Sequence, residues 1–423
     1  MRRRPARVAD DFCENRCNAL VLPLRVKSAP SRWLLAAVAF NQLTAWATFY
    51  YAFSIFAIPM QSSLGWPQQN LMGAFTLGLL GWATGSIPIG MAIDRGYGRV
   101  VMASGSLLGG VLLIAWSQAG SLPGFYAIWF AFGFALAANL YDPLFSIITR
   151  TYGEGFHRAI TTVTLVGGFA STLAYPLILW LIDWQGWRGA LVILGAWQII
   201  VNAPLHWWAI GRLEGHAMPA RATKRGAASG GLGPVLRLPV FWFLAFTFAG
   251  QLFVVSAMWA HMMPMLLSLN LSTAEAVRVV MWIGPTQVAG RVLQFLLMRH
   301  VTVTILGQVA FMLLPFGLVA LHLIPSPLVG AYAFAFCIGA SNGVATIVRG
   351  TAIPEFIGKA DIGAVSGAMT AATSFTRAIA PFLAALMFSF SGYSGMLRVL
   401  AAIGLASVAA FWVAANISVR GRR

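Results

Sequence analysis

The chain has 423 residues, of which 59% are hydrophobic and only 9% charged, with a mean hydropathy of +0.77. A soluble domain is about 45–50% apolar and about 25% charged, so a cytosolic globular enzyme and a disordered chain are both excluded, and an integral membrane protein remains. The net charge of +17, from 28 Lys and Arg against 11 Asp and Glu, implies either a nucleic-acid partner or an asymmetric membrane topology, and the placement of the charges decides between them.

In chain order, residues 1–32 form an Arg-rich segment with Asp10, Asp11 and Glu14. It lacks the apolar run and small-residue cleavage site of a signal peptide, and is expected to be a cytoplasmic tail. Cys13 and Cys17 lie in it, without the second ligand pair that a metal site needs. Crossing about 30 Å of hydrocarbon takes about 20 apolar residues. At that length the first half holds six spans, 33–60, 70–93, 99–117, 122–150, 158–183 and 189–211. A basic, Gly- and Ala-rich segment, 214–238, separates them from six more, at 239–266, 274–298, 303–323, 328–350, 362–390 and 394–417. Residues 418–423 form a short basic tail. The expected architecture is an all-α membrane protein with two pseudo-symmetric six-helix bundles, 33–213 and 239–417. Small-xxx-small pairs recur at Gly81/Gly85, Gly105/Gly109, Gly339/Gly343 and Gly363/Gly367, where helices can approach closely. With the N-terminus inside, 23 of the 28 basic residues fall on the cytoplasmic side. Arg188, Arg278 and Arg398 fall outside, and Arg291 and Arg377 within spans. The charge surplus is therefore orientation, no nucleic acid is needed, and both termini are expected in the cytoplasm.

The two halves align on a shift of 205 residues. Pro59-Met60 then falls on Pro264-Met265, Pro176 on Pro381 and Asp94 on Arg299, and a shift of 199 pairs Arg150 with Arg349. The loop after span two reads Gly90-Met-Ala-Ile-Asp94-Arg95-Gly-Tyr-Gly98-Arg99. It resembles the G-x-x-x-D-R-x-G-R signature of the major facilitator superfamily, with one extra residue before the final Gly-Arg. In a twelve-span chain with a six-plus-six repeat, that resemblance covers about residues 33–417. It implies alternating access about a central cavity between the halves, with Asp94, Arg95 and Arg99 in gating rather than substrate contact.

Within that superfamily the chain resembles the monocarboxylate-porter and oxalate/formate-antiporter branch. The features are Tyr50-Tyr51 with Phe53, Gly65-Trp66, Gly186-Trp187-Arg188, and Gln287-x-x-x-Arg291 in span eight. The resemblance implies that Arg291, or Arg291 with Arg377, binds a substrate carboxylate. Gln287 stands where monocarboxylate porters carry an acid, which departs from their proton-coupling scheme. The span-five signature of drug antiporters is absent, because Gly167-Gly168 and Pro176 stand in the wrong order.

Charges in the hydrocarbon core are costly and face cavities or one another. Three are placed well inside spans: Asp142, Arg291 and Arg377. A guanidinium offers forked donors to a carboxylate, so Arg377 and Arg291, with Gln287 and Tyr51 near mid-span, are the expected substrate residues. Asp142 is expected to carry a proton, to gate, or to pair with one of those arginines across the halves. Asn41, Gln42, Gln251, His261 and Asn342 are polar groups placed to line a cavity or to bond between helices. His206, beside Trp207-Trp208, is assigned to the interfacial aromatic belt.

The expected function is secondary transport of a small organic anion by a monomer in the plasma (inner) membrane, with protons coupled or anions exchanged. Export of apolar or cationic compounds is the alternative, since 29 Phe and 16 Trp leave room for an aromatic cavity. A non-transporting membrane sensor is disfavoured by the lack of a signalling domain. No catalytic motif, P-loop, cofactor motif or metal-ligand pattern is present, so neither enzyme activity nor a cofactor is expected.

Overall fold

A computed structural model describes residues 31–216, 232–297, 300–358 and 361–420. Cys13, Cys17, Arg299 and most of the expected tails and central loop lie outside them. Among the described residues the regular structure is helical. The first half comprises α1 (Arg32–Leu64), α2 (Gln68–Asp94), α3 (Gly98–Ser117), α4 (Leu122–Asn139), α5 (Tyr141–Tyr152), α6 (Phe156–Gly167), α7 (Ala170–Trp197) and α8 (Ala203–His216). The short α9 (Leu232–Leu236) precedes the second half. That half comprises α10 (Pro239–Ser268), α11 (Thr273–Leu297), α12 (Val303–Leu323), α13 (Pro327–Phe356) and α14 (Ile362–Arg420).

Eight helical stretches are long and apolar enough to cross a membrane, but two exceed one crossing. Leu122–His216 runs for 95 residues and Ile362–Ser418 for 57, against about 20 per crossing. The first turns back at the Gly153–Gly155 turn and at Gly186 (φ 69°, ψ 167°), and so makes three passes. The second reverses at Gly392 (φ 63°, ψ −173°) and makes two. α11 is less apolar because it carries Glu275, Arg278, Gln287, Arg291 and Gln294, and it completes the twelve passes.

Gly186 and Gly392 occupy a backbone region essentially closed to side chains. Gly186→Ala is expected to cost about 1–3 kcal/mol, read as a lower unfolding temperature of the detergent-solubilised protein. Helix starts are marked locally. Ser31 Oγ accepts from Trp33 N at 3.2 Å and Thr302 Oγ1 from Ile305 N at 3.3 Å. Ser272 and Glu275 form a reciprocal capping box ahead of α11.

Alternating passes put the start of α1, the end of α2 and the end of α14 at one end of the molecule, here the Asp94 end. Ser418 Oγ, bonded to Phe356 O at 3.3 Å, lies at that end too. Each half buries its own apolar clusters, around Phe49, Phe56, Trp116 and Trp129 in the first and around Met258, Phe334, Phe311 and Phe411 in the second. Each small-residue pair meets a neighbouring helix. Side chains at Gly81, Gly339 and Gly343 would strike the backbone of Phe130, Ile283 and Gln287, and one at Gly109 the Phe49 ring.

Candidate functional site

The two halves meet most closely at the Asp94 end. A Cβ on Gly90 (α2) would strike the Gly363 carbonyl (α14), and one on Gly367 the Ser86 carbonyl, so the two helices touch backbone to backbone. Asp94 seals this crossing. Its two carboxylate oxygens accept from Gly363 N at 2.8 Å and Ala364 N at 2.7 Å, capping the positive end of α14. Arg150 (α5) braces it from behind, donating to Ile93 O at 2.7 Å and Asp94 O at 3.1 Å. The acid of the signature loop thus caps a helix of the opposite half.

Asp94→Asn removes the charge from this cap. It is expected to cost the closed form about 1–2 kcal/mol, a shift of about 5–30-fold in the ratio of closed to open molecules. Spin labels at positions 97 and 357, in a background lacking the three native cysteines, would report it as a growing long-distance population. The other two signature residues behave differently. Arg99 lies 3.7 Å from the Trp207 ring, while Glu214 accepts from Gly98 N and Arg99 N at 2.8 and 3.2 Å and anchors the start of α3. Arg95 is exposed.

An ion pair and a histidine–carboxylate contact cross the same seam. Asp142 Oδ1 (α5) meets Arg349 Nη2 (α13) at 3.0 Å, both side chains about seven-eighths buried, and His157 Nε2 meets Glu355 Oε2 at 3.4 Å. Asp142 therefore pairs across the halves as expected, but with Arg349 rather than with Arg291 or Arg377. The sequence-based span placed Arg349 at its cytoplasmic margin. In the fold, α13 continues to Phe356, so Arg349 lies more than a turn inside the helix and faces α5.

Arg291 is buried and donates to Gly343 O at 3.3 Å. Its Nη1 fills the space that a side chain on Gly168 would need, and the Tyr141 hydroxyl fills the corresponding space at Gly167. Gly167-Gly168 thus makes room for an arginine and a tyrosine at the seam. Gln287, one turn along α11, is half-buried, with its backbone against Gly343.

Arg377 (α14) is half-buried and has no carboxylate partner among the described residues. Its guanidinium lies 5.4 Å from the Trp82 ring and 5.8 Å from the Tyr50 ring, both in the first half. Ser256 Oγ holds its backbone carbonyl at 2.9 Å. The wall it faces is aromatic. Trp46, Tyr50 and Tyr51 lie on a π-helical stretch of α1, Trp46–Tyr51, with ring centroids 5.3, 6.2 and 5.5 Å apart. Wider turns of this kind often mark functional sites. Tyr51, chosen from its mid-span position, therefore belongs to this wall. Trp46, Trp82 and Tyr141 were missed, because an aromatic ring in an apolar span carries no charge or motif to single it out.

The remaining polar expectations divide. His206 is fully buried, its Nδ1 2.8 Å from Ser106 Oγ, so it belongs to the interior of the first half and not to the aromatic belt. The exposed Trp207 and Trp208 are the belt-like residues there. Asn41 and Gln42 are also fully buried, and Gln42 donates to Asn139 O at 2.6 Å. Gln251 donates to Phe311 O at 3.3 Å. Gln42 and Gln251 thus bond between helices of one half. His261 sits with Phe388 and Tyr393, and Asn342 is half-buried.

A family model described as Major Facilitator Superfamily matches residues 38–381. Similar solved structures include FucP, the E. coli fucose:proton symporter, in its outward conformation. It aligns at a TM-score of 0.68 and 14% identity over 91% of this chain and 98% of that one. The human organic anion transporter MFSD10 (TETRAN) aligns at 0.69 and 13% over 91% and 100%. The proton:xylose symporter XylE aligns at 0.68 and 13% over 90% and 96%. Such identities carry the fold and nothing finer. No curated protein matches the chain.

Proposed function

The chain belongs to the Major Facilitator Superfamily, and from that premise we propose that it moves a small organic anion across the membrane by alternating access. It is an integral multi-pass membrane protein and a transporter, not an enzyme. The anion reading rests on Arg377. A guanidinium midway along a membrane helix, with no carboxylate among the described residues to neutralise it, is costly unless a substrate supplies the charge. Its forked donors suit a carboxylate. Arg291, occupied by a backbone carbonyl and walled by Gly168, takes a supporting role at the seam, with Gln287 beside it and Tyr51 on the facing wall. Asp142 gates through Arg349, and Asp94 latches the closed end, with Arg95 and Arg99 in its loop.

The halves 33–213 and 239–417 are the rocking units, joined through 214–238, with 1–32 and 418–423 as tails. Basic residues gather at the Asp94 end, which supports cytoplasmic termini in a plasma (inner) membrane and a present state closed on that side. Transport runs as proton symport or anion exchange, by a monomer.

The aromatic wall favours one other reading, export of apolar or cationic compounds. Arg377 opposes it, because a second cation beside Trp82 and Tyr50 would be repelled. Reconstituted protein, tested with labelled mono- and dicarboxylates with and without a pH gradient, separates the two. Arg377→Ala is expected to lower carboxylate uptake about tenfold or more, the loss of a charge-assisted contact. Unchanged uptake in that variant, or efflux of lipophilic cations that carboxylates do not inhibit, would overturn the anion reading.

A further inference from the structure

We propose that the anion taken by Arg377 is an aromatic carboxylate, its ring against the wall of Trp46, Tyr50, Phe75 and Trp82 and one of its oxygens on Trp46 Nε1. The inference rests on the reading of Arg377 as the anion site and adds the substrate class.

Three observations carry it. The first is the composition of the wall. Tyr50 lies 5.3 Å from Trp46, 5.7 Å from Phe75 and 6.4 Å from Trp82, in edge-to-face arrangements, so four rings from α1 and α2 form one continuous surface. Trp46, Tyr50 and Phe75 are only half-buried, leaving ring surface uncovered, while Trp82 is buried and backs them under Arg377. Arg377 reaches this surface from the other half, so the wall faces the seam.

The second is an unused donor. Trp46 Nε1 is buried and has no acceptor among the described residues. Buried indole N–H groups ordinarily find one. Trp116 donates to Met60 Sδ at 3.0 Å, Trp187 to Ser63 Oγ at 3.0 Å and Trp242 to Leu236 O at 2.7 Å. Trp129 Nε1 also lacks an acceptor, but its ring is sealed inside the core of the first half. Among the described tryptophans, Trp46 is the orphan donor beside the seam.

The third is the backbone. The π-helical turn at Trp46–Tyr51 places Trp46 beside both Tyr50 and Tyr51, where a regular helix would rotate one of them away. A small aliphatic carboxylate would satisfy Arg377 but leave this assembly without contacts. An aromatic acid meets all three features at once: its charge on Arg377, its ring edge-to-face with the wall, and a second oxygen on Trp46.

The test uses the full-length protein in lipid nanodiscs at neutral pH, with labelled benzoate and competition by acetate, cyclohexanecarboxylate and benzyl alcohol. The expected order is benzoate at least about tenfold tighter than acetate and several-fold tighter than cyclohexanecarboxylate, with benzyl alcohol not competing. Tyr50→Leu should remove the preference for benzoate over acetate while acetate still binds, and Tyr50→Phe, which keeps a ring, should retain most of it. Trp46→Phe should weaken benzoate about fivefold or more. Acetate or cyclohexanecarboxylate binding as tightly as benzoate, or a preference unchanged in Tyr50→Leu, would overturn the aromatic class while leaving the anion site standing. Binding of no carboxylate, or benzoate binding unchanged in Arg377→Gln, would sink both.

Discussion

Asp142→Ala is expected to abolish transport. The carboxylate meets Arg349 Nη2 at 3.0 Å across the two halves, and both side chains are largely withdrawn from solvent. Removing one partner of such a pair leaves the other charge buried and unpaired, at about 3–5 kcal/mol. That amounts to about two to four orders of magnitude in the ratio of closed to open molecules, enough to trap the cycle with the Asp94 end open. Arg349→Ala should do the same. The charge-swapped pair Asp142→Arg with Arg349→Asp should recover part of the activity, because the pair matters and not the identity of either side. Asp142→Asn separates gating from coupling. Exchange and gradient-driven uptake are expected to fall together, since both cycles pass through the closed form that the pair holds. Loss of gradient-driven uptake with exchange retained would instead make Asp142 the proton carrier.

How far the sequence reached depended on the kind of signal each residue carried. The twelve passes were legible because burial in hydrocarbon demands long apolar runs, and Gly186 and Gly392 mark reversals that composition alone hides inside continuous helix. Asp94 was singled out because its loop carries a motif, though its capping role was not stated there. The partner itself, the first turn of α14, lies some 270 residues away and leaves no local trace. Asp142 was recognised as a charge that must be paired, yet its mate was misassigned. Arg349 stands near a span boundary that hydropathy fixes only to within about a turn, and that uncertainty is enough to move a charge from water to the seam. His206 failed for the opposite reason. Its tryptophan neighbours suggested the interface, while the hydroxyl that holds it, Ser106, lies a hundred residues earlier in the chain. Arg377 was found from charge alone. The rings around it were not, because their meaning comes from being brought together by α1, α2 and α14.

Gly363→Val is expected to block closure as completely as loss of the ion pair, by a different route. Beside that pair, the crossing of α2 and α14 closes on two further terms of unlike range. The polar one, Asp94 on the first amides of α14, is directional, and a neutral asparagine can partly replace it. The steric one has no such tolerance. A Cβ on Gly363 would strike the Gly90 carbonyl and crowd the Asp94 carboxylate in the same step, so it disturbs both terms. Overpacking against mobile side chains costs about 1–3 kcal/mol, and here the neighbour is backbone that cannot rotate aside, so the upper end applies. Transport is expected to fall about a hundredfold, and labels at positions 97 and 357 should show only the long distance. Gly367→Val, facing the Ser86 carbonyl, should act alike. Gly120→Ala, with no atom within 4 Å of the added methyl, is the control expected to transport normally. Because Gly90 and Gly363 belong to different halves, each bundle should still fold and bind the anion in the valine variants. Binding retained with turnover lost places the defect in the rocking motion. Loss of both would mean that the crossing of α2 and α14 is needed to assemble the site itself.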